Sequence, residues 1–289
     1  ENPGASISYL VEMREVIERM PDKHWRDIKL KEVDDLILQC AGLYVEAKAD
    51  EYSKCSGDSV EVSFEIVNRS KVGFRLQSIE SEELGYLFNE EQFLHQNKLM
   101  DRTETLFVPA LPISQPYWLK EEGTLGTYNV TDQNLIGTPQ NKPAISFKVK
   151  MMVYGQVIEV DIPLIYKWND PVGGELYRPF IITPAITANV NQSIALFSSK
   201  SAKQVEVLLK AHKANQKGAI KINLPKGWDC NYAESFELLK KGEEQTIIVN
   251  VTPSDSAVNG NLSVQINEES TQSFNEIEYD HIPTQVWFP

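Results

Sequence analysis

The feature that most constrains this chain is a change of hydrophobic period at Gly42. Before it, Ile7, Leu10, Val11, Val16 and Ile17 recur at helical spacing, and the run stops at Pro21-Asp22 because proline disfavours a continuing helix. Leu30, Val33, Leu36, Ile37 and Cys40 repeat the helical period as far as Gly42, the residue type best suited to a left-handed helix stop. After it the period becomes two. Leu43, Val45 and Ala47 alternate with Tyr44, Glu46 and Lys48, and Val60, Val62, Phe64 and Ile66 alternate with Glu61, Ser63 and Glu65. The pattern predicts a mainly β protein that opens with a short helical hairpin over 1–42. Two helices bury little apolar surface by themselves, so their oily stripe is expected to lie on the next domain or to dock on a preceding one.

Further strands are predicted at Val72 to Ile79, Thr103 to Val108, Ala144 to Val153 and Val157 to Tyr166, with Tyr154-Gly155-Gln156 as a tight hairpin between the last two. The stretch 109–143 holds too many prolines and glycines for central strands and reads as a long ordered excursion. A chain of 289 residues exceeds one ordinary core, and Asn169-Asp170-Pro171-Val172-Gly173-Gly174-Glu175 groups turn formers between two strand-rich regions. The expected organisation is therefore a first sandwich over 43–168, a linker over 169–179, and a second sandwich over 180–268. In the second, strands are predicted at Phe180 to Ile182, Ile186 to Val190, Ser193 to Phe197, Gln204 to Ala211, Gly218 to Leu224, Ser235 to Leu238, Gln245 to Val251 and Asn261 to Ile266. Their spacing and turns are those of an immunoglobulin-like fold, so two immunoglobulin-like antiparallel β-sandwich domains are expected. The bare start and the apolar close at Val286, Trp287 and Phe288 suggest an excised piece, with 269–289 as a tail leading to a missing domain.

A net charge of -13 repels phosphate backbones and anionic headgroups, which argues against nucleic acid and membrane surfaces as partners. No apolar run is long enough to cross a bilayer, so no membrane insertion is expected. Cys40, Cys55 and Cys230 are an odd set without metal spacing; they read as buried unpaired thiols, with a Cys40 to Cys55 bridge left open. His24, His95, His212 and His281 stand far apart, so no metal site is predicted, and Asp280-His281 reads as a polar loop pair rather than half of a relay. No Gly-x-Ser-x-Gly elbow occurs, and Gly123-Thr-Leu-Gly126 lacks the Lys-Ser/Thr of a phosphate loop. The carboxylates at Glu80, Glu82, Glu83, Glu90 and Glu91 read as a solvated face. No catalytic residue, metal ligand or cofactor is predicted for this segment.

The most distinctive stretch is Pro112-Ile-Ser-Gln-Pro-Tyr117-Trp118-Leu, continued by Gly126-Thr-Tyr128-Asn129-Val. Paired aromatics on a proline-stiffened loop suit a sugar-binding surface, because a flat ring stacks on the apolar face of a pyranose. The plainer reading has Tyr117 and Trp118 plug the end of the sandwich or meet a neighbouring domain. The candidate carbohydrate or domain contacts are Tyr117, Trp118, Tyr128 and Tyr177. Asn-x-Ser/Thr triplets at Asn68, Asn129, Asn191, Asn250 and Asn261 carry no weight on their own.

Several segments resemble the region after the catalytic domain in long bacterial proteins of the LmbE/PIG-L (N-acetylglucosaminyl-phosphatidylinositol de-N-acetylase-like) family. They are Cys40-Ala-Gly-Leu-Tyr-Val-Glu-Ala47, Val67-Asn-Arg-Ser70, Pro112 to Leu119, Asp170-Pro-Val-Gly-Gly-Glu-Leu-Tyr-Arg-Pro179 and Glu278-Tyr-Asp-His-Ile-Pro283. The second domain is also similar to the immunoglobulin-like modules of carbohydrate-active enzymes, through Pro225-Lys-Gly-Trp228 and Lys241-Gly-Glu-Glu244. The resemblance implies a metal-dependent de-N-acetylase parent, an extracytoplasmic location and a preceding catalytic domain as partner. The family's His-Pro-Asp-Asp metal motif is absent from this sequence, so no catalytic residue is carried over. The expectation is a non-catalytic accessory or scaffolding segment. The alternatives are a carbohydrate-binding module that meets glycans through exposed aromatics, and a carboxylate-dependent glycoside hydrolase.

Overall fold

The computed structural model describes residues 2–255, 259–279 and 281–289. The chain is mainly β with one short N-terminal helix hairpin and several sheets. Helix α1 (Ile7–Glu18) turns back into α2 (Lys23–Ala41). Asp22 caps α2 by accepting a hydrogen bond from the Trp25 N–H at 3.2 Å. Gly42 ends it at φ 57, where the Leu43 N–H donates to the Leu38 carbonyl and the Gly42 N–H to that of Gln39. A side chain at Gly42 would be strained, and its Cβ would stand 3.2 Å from that of Arg69.

Two compact units account for the chain. The first comprises residues up to Tyr52, Gly57–Leu111 and Pro143–Ile181; the second comprises Ser53–Ser56, Pro112–Lys142 and Ile182–Pro289. The helical hairpin belongs to the first unit, and its stripe of Ile7, Val11, Val33, Ile37 and Ala41 is buried there. Arg14 of α1 ties the helices together through Asp34 of α2 at 2.7 Å and also binds Glu18 of its own helix, and Gln156 Nε2 donates to Glu15 at 2.9 Å from the turn between two strands. These five residues are thus covered within their own unit, while Val16 and Leu36, read as part of the same stripe, are exposed.

The strands as far as the end of the first unit are β1 (Tyr44–Ala49), β2 (Ser53–Cys55), β3 (Ser59–Val67), β4 (Phe74–Ser81), β5 (Tyr86–Phe88), β6 (Gln92–Leu94), β7 (Leu99–Phe107), β8 (Ser146–Val153), β9 (Gln156–Asp170) and β10 (Gly174–Pro179). Apart from β2 they run in the order β5-β4-β8-β9-β1-β3-β7, with β10 also on β9 and β6 also on β4. Strand β9 joins two halves of this surface. Its first half pairs with β8 as far as Pro163, and its second half pairs in parallel with β1 and antiparallel with β10. The halves face each other: Val60, Val62, Phe64 and Ile66 of β3 and Phe147, Val149, Met151 and Val153 of β8 are buried. Phe64 meets Phe147 edge-on at 4.8 Å, although β3 and β8 are not ladder neighbours, so the layering is sandwich-like. Between β8 and β9, Tyr154 and Gly155 both take positive φ, 47 and 82, as a two-residue hairpin turn requires.

The second unit adds β11 (Ile181–Thr183), β12 (Ile186–Val190), β13 (Lys203–Ala211), β14 (Gln216–Asn223), β15 (Asp229–Asn231), β16 (Ser235–Leu238), β17 (Glu244–Thr252), β18 (Ser263–Ile266), β19 (Glu269–Ser270), β20 (Asn275–Tyr279) and β21 (Ile282–Trp287). Two four-stranded sheets, β12-β13-β17-β15 and β16-β14-β18-β19, share one core in which Val205, Val207 and Leu209 meet Ile220, Ile222, Phe236, Leu238, Val249 and Val264. Four sequence expectations change. The 169–179 stretch expected as a linker is the β9–β10 hairpin, because the same turn formers that separate domains also close hairpins. The 112–142 part of the excursion expected in the first sandwich belongs with the second unit, and the 269–289 tail is drawn into strands there. Ser193 to Phe197 forms no strand, and Ile194 and Leu196 stand 78% exposed.

Candidate functional site

Pro116 is buried and starts a single 3-10 turn over Tyr117–Leu119, which sets Tyr117 and Trp118 edge-to-face with ring centres 4.9 Å apart and planes at 87°. The Tyr117 hydroxyl donates to the Thr138 carbonyl at 3.1 Å, and its backbone N–H donates to Asn141 Oδ1 at 2.9 Å. Trp287 Nε1 of β21 donates to the Leu119 carbonyl at 3.2 Å. Both rings are half-buried, and the polar contacts of Tyr117 and of Leu119 close the loop on itself and on the C-terminal hairpin. Perpendicular rings cannot together offer one flat face to a sugar. Tyr128 stands 66% exposed beside the Thr124–Thr127 turn, and Tyr177 lies on β10 in the other unit. Of the four candidates, only Tyr117 and Trp118 are brought together.

The β9–β10 hairpin assembles a second aromatic group that the sequence reading passed over. Its turn is held by Asp170, whose carboxylate accepts the Val172 and Gly173 N–H groups at 2.8 and 2.7 Å; these bonds hold its pKa below the usual carboxylate value. Cross-strand partners share a face, so Tyr166 with Arg178 and Trp168 with Leu176 point to one side. Tyr166 and Trp168 lie nearly parallel, 21° between planes and 5.6 Å between centres. Tyr52 stands 6.4 Å from Tyr166, with the Arg178 guanidinium 4.0 Å over the Tyr52 ring. All of these rings are half-buried.

The reverse face of the same hairpin is ionic. Lys167, opposite Tyr177, binds Glu46 and Glu175 at 2.8 Å each, and the Tyr44 hydroxyl donates to Glu46 at 2.5 Å. Burial alone would lower the Lys167 pKa, but hydrogen bonds to Glu175 and Glu46 outweigh it and raise the value. Burial first, then the bond to Glu46, pushes Tyr44 up to about 12. Tyr177 therefore shares its face with an ion-pair network rather than with other candidate aromatics.

No group of three or more His, Cys, Asp or Glu residues placed to hold a metal ion occurs among the described residues. His24 packs beside Trp25, His95 beside Phe93 and His281 beside Tyr279. Asp280, the other half of the pair considered as a relay, lies outside the described residues. His212 differs, being 3% exposed, hydrogen-bonded at 3.0 Å to Thr187 Oγ1 and packed against Phe274 and Phe288. Burial, then the charges of Lys210 and Lys241, lowers its pKa to about 4. All three cysteines are free thiols; Cys55 is buried, while Cys40 and Cys230 are half-buried. The carboxylates of the sheets pair with lysines across strands, as Glu80 and Glu159 do with Lys150.

No protein-family model matches the chain, and no curated protein matches it. Among solved structures it is similar to a crystal structure of a protein of unknown function from Porphyromonas gingivalis W83, at 10% identity and a TM-score of 0.21, covering 85% of this chain and 97% of that one. At that TM-score the likeness carries no argument.

Proposed function

We propose that this chain is a non-catalytic accessory segment, in which two immunoglobulin-like sandwiches support and space a partner domain of a de-N-acetylase that acts on N-acetylated sugars outside the cytoplasm. The resemblance to the region after the catalytic domain of LmbE/PIG-L-like proteins motivates the reading. The observation that carries it is how the sheet carboxylates are engaged. Lys48 with Glu65, Lys150 with Glu80 and Glu159, Lys167 with Glu46 and Glu175, and Lys210 with Glu244 all lie along strands, where such pairs hold a sheet in register. Two-carboxylate hydrolysis needs instead a facing pair whose pKa values are driven apart. Asp34 is raised by burial, but the Arg14 guanidinium that binds it belongs to the helical hairpin and joins α1 to α2.

The purified chain, supplied with zinc and N-acetylglucosamine oligomers, is expected to release no acetate. Turnover that a chelator abolishes would overturn the reading.

A further inference from the structure

We propose that the free edge of β7 is a self-association surface, to which a second copy of this chain adds its own β7 antiparallel, in a register centred on Thr103. This role goes beyond spacing a partner domain and does not depend on it. Strand β7 is nine residues long and pairs with β3 without a break, from Leu99 opposite Val67 to Phe107 opposite Ser59. It ends the sheet order, and among the described residues nothing pairs along its other side. Other outer strands are blunted: β5 and β15 have three residues each and β19 two, and β12 is closed by Gln272, whose carbonyl accepts the Ala188 N–H at 3.0 Å. Just beyond β7, the Val108 N–H donates to the Asp58 carbonyl in step with the β3 ladder, and alternate residues turn their peptide groups to opposite sides. The Thr103 and Ser63 hydroxyls lie 3.2 Å apart, the close approach of a cross-strand pair that exchanges no backbone bonds. The N–H and C=O groups of Leu99, Asp101, Thr103, Thr105 and Phe107 therefore face the open edge.

The side chains select the occupant. A two-fold axis through Thr103 sets Arg102 opposite Glu104 of the second copy and Glu104 opposite its Arg102. These two residues already pair within the strand, so the four charges form a square of alternating sign. A slip of one residue in either direction would set Arg102 on Arg102 or Glu104 on Glu104, and like charges directly opposite are destabilising. In the same register Leu99 and Phe107, 54% and 61% exposed, come opposite each other at both ends of the paired strands, and Met100 meets Leu106. A foreign strand would leave Arg102 and Glu104 without counter-charges, which is how charged edges resist indiscriminate pairing; a second copy satisfies both. The net charge of -13 on each chain opposes association from afar. At physiological salt that repulsion is screened within about 8 Å, whereas paired strands lie about 5 Å apart, so the local match prevails at contact.

The test is sedimentation equilibrium of the full chain at physiological salt, with hydrogen exchange resolved to single residues. Dimers should form as the concentration rises to about millimolar, and the amides of Asp101, Thr103 and Thr105 should become protected with the same concentration dependence. Thr103→Pro removes an N–H that faces away from β3, a change an edge strand tolerates, and should weaken the dimer roughly tenfold or more. Arg102→Glu and Glu104→Arg should each be monomeric alone and form a heterodimer when mixed, because each supplies the charges the other needs. A variant that had only lost the contact within its own strand would not recover on mixing. If one of these variants does not fold, the exchange of the wild-type amides still decides. A chain that stays monomeric at millimolar concentration, a dimer unweakened by Thr103→Pro, or protection that rises on another strand instead would overturn the proposal; so would protection of the β7 amides that requires a strand from a different protein. None of these results bears on the acetate assay, so the self-association and the non-catalytic reading fail separately.

Discussion

Two tyrosine–tryptophan pairs, Tyr117–Trp118 and Tyr166–Trp168, have nearly the same composition and opposite geometry. The first is adjacent in sequence, sits on a 3-10 turn and meets at 87°. The second is two residues apart on a strand and lies at 21°. Successive residues diverge in direction while alternate residues on a strand share a face, so Tyr166 and Trp168 stack on each other where Tyr117 and Trp118 meet edge to face. The polar atoms differ in the same sense. Tyr117 donates its hydroxyl to Thr138, whereas the Tyr166 hydroxyl has no partner among the described residues.

Acid should separate the pairs most. The loop of Tyr117 and Trp118 is tied by Leu119 to Trp287, whose neighbour Phe288 packs on His212. With a folded pKa of about 4 against about 6.5 unfolded, His212 is held neutral by the fold. Its contribution is fully present above pH 6.5 and is lost as pH falls through about 4, a total of about 3 kcal/mol. Denaturant unfolding of the wild type should lose that amount over this window relative to His212→Gln, which cannot titrate. Parallel curves for the two proteins would remove the acid sensitivity assigned to this region. Trp118→Ala should follow, with a cost of about 2 kcal/mol in denaturant unfolding for a half-buried ring and its contact with Tyr117. Unchanged stability would mean that this ring does not hold the loop.

The sequence made the helical hairpin and the long strands legible because their periods are unbroken. Val60 to Ile66 predicts a strand observed at Ser59–Val67, and the end of α2 at Gly42 follows from its left-handed conformation. The stacked Tyr166–Trp168 pair was hidden for a physical reason. Tyr166 ended the predicted strand and Asn169 opened a predicted linker, so Trp168 fell in the gap and Arg178 beyond it. Asp170-Pro171-Val172-Gly173-Gly174 suits a linker and a hairpin alike, and only pairing of Lys167 with Tyr177 and of Trp168 with Leu176 decides between them. Short strands such as β5, β6 and β19 are too brief to show a period.

The ionic face of the same hairpin offers a smaller effect that sharpens the contrast. The Lys167 and Glu46 side chains are 14% and 13% exposed, so Lys167→Met leaves Glu46 poorly solvated, with only the Tyr44 hydroxyl still donating to it. A cost of about 1–2 kcal/mol is expected in unfolding experiments at neutral pH. The near-ultraviolet circular dichroism of the stacked Tyr166–Trp168 pair should persist, because Lys167 projects to the opposite side from Trp168. If that signal vanished while the fold held, the two faces of the hairpin would not be separable.

The finest discriminator removes one oxygen from each pair. Tyr117→Phe deletes the hydroxyl that donates to the Thr138 carbonyl, and should cost about 1 kcal/mol, the net worth of one such bond. Tyr166→Phe deletes a hydroxyl without a protein partner among the described residues, so its effect on stability should lie within about 0.5 kcal/mol. A double substitution should show the two effects adding, since the residues share no partner. Equal stability losses in the two single variants would mean that both hydroxyls serve the fold, and the distinction between the two pairs would fail at its smallest scale.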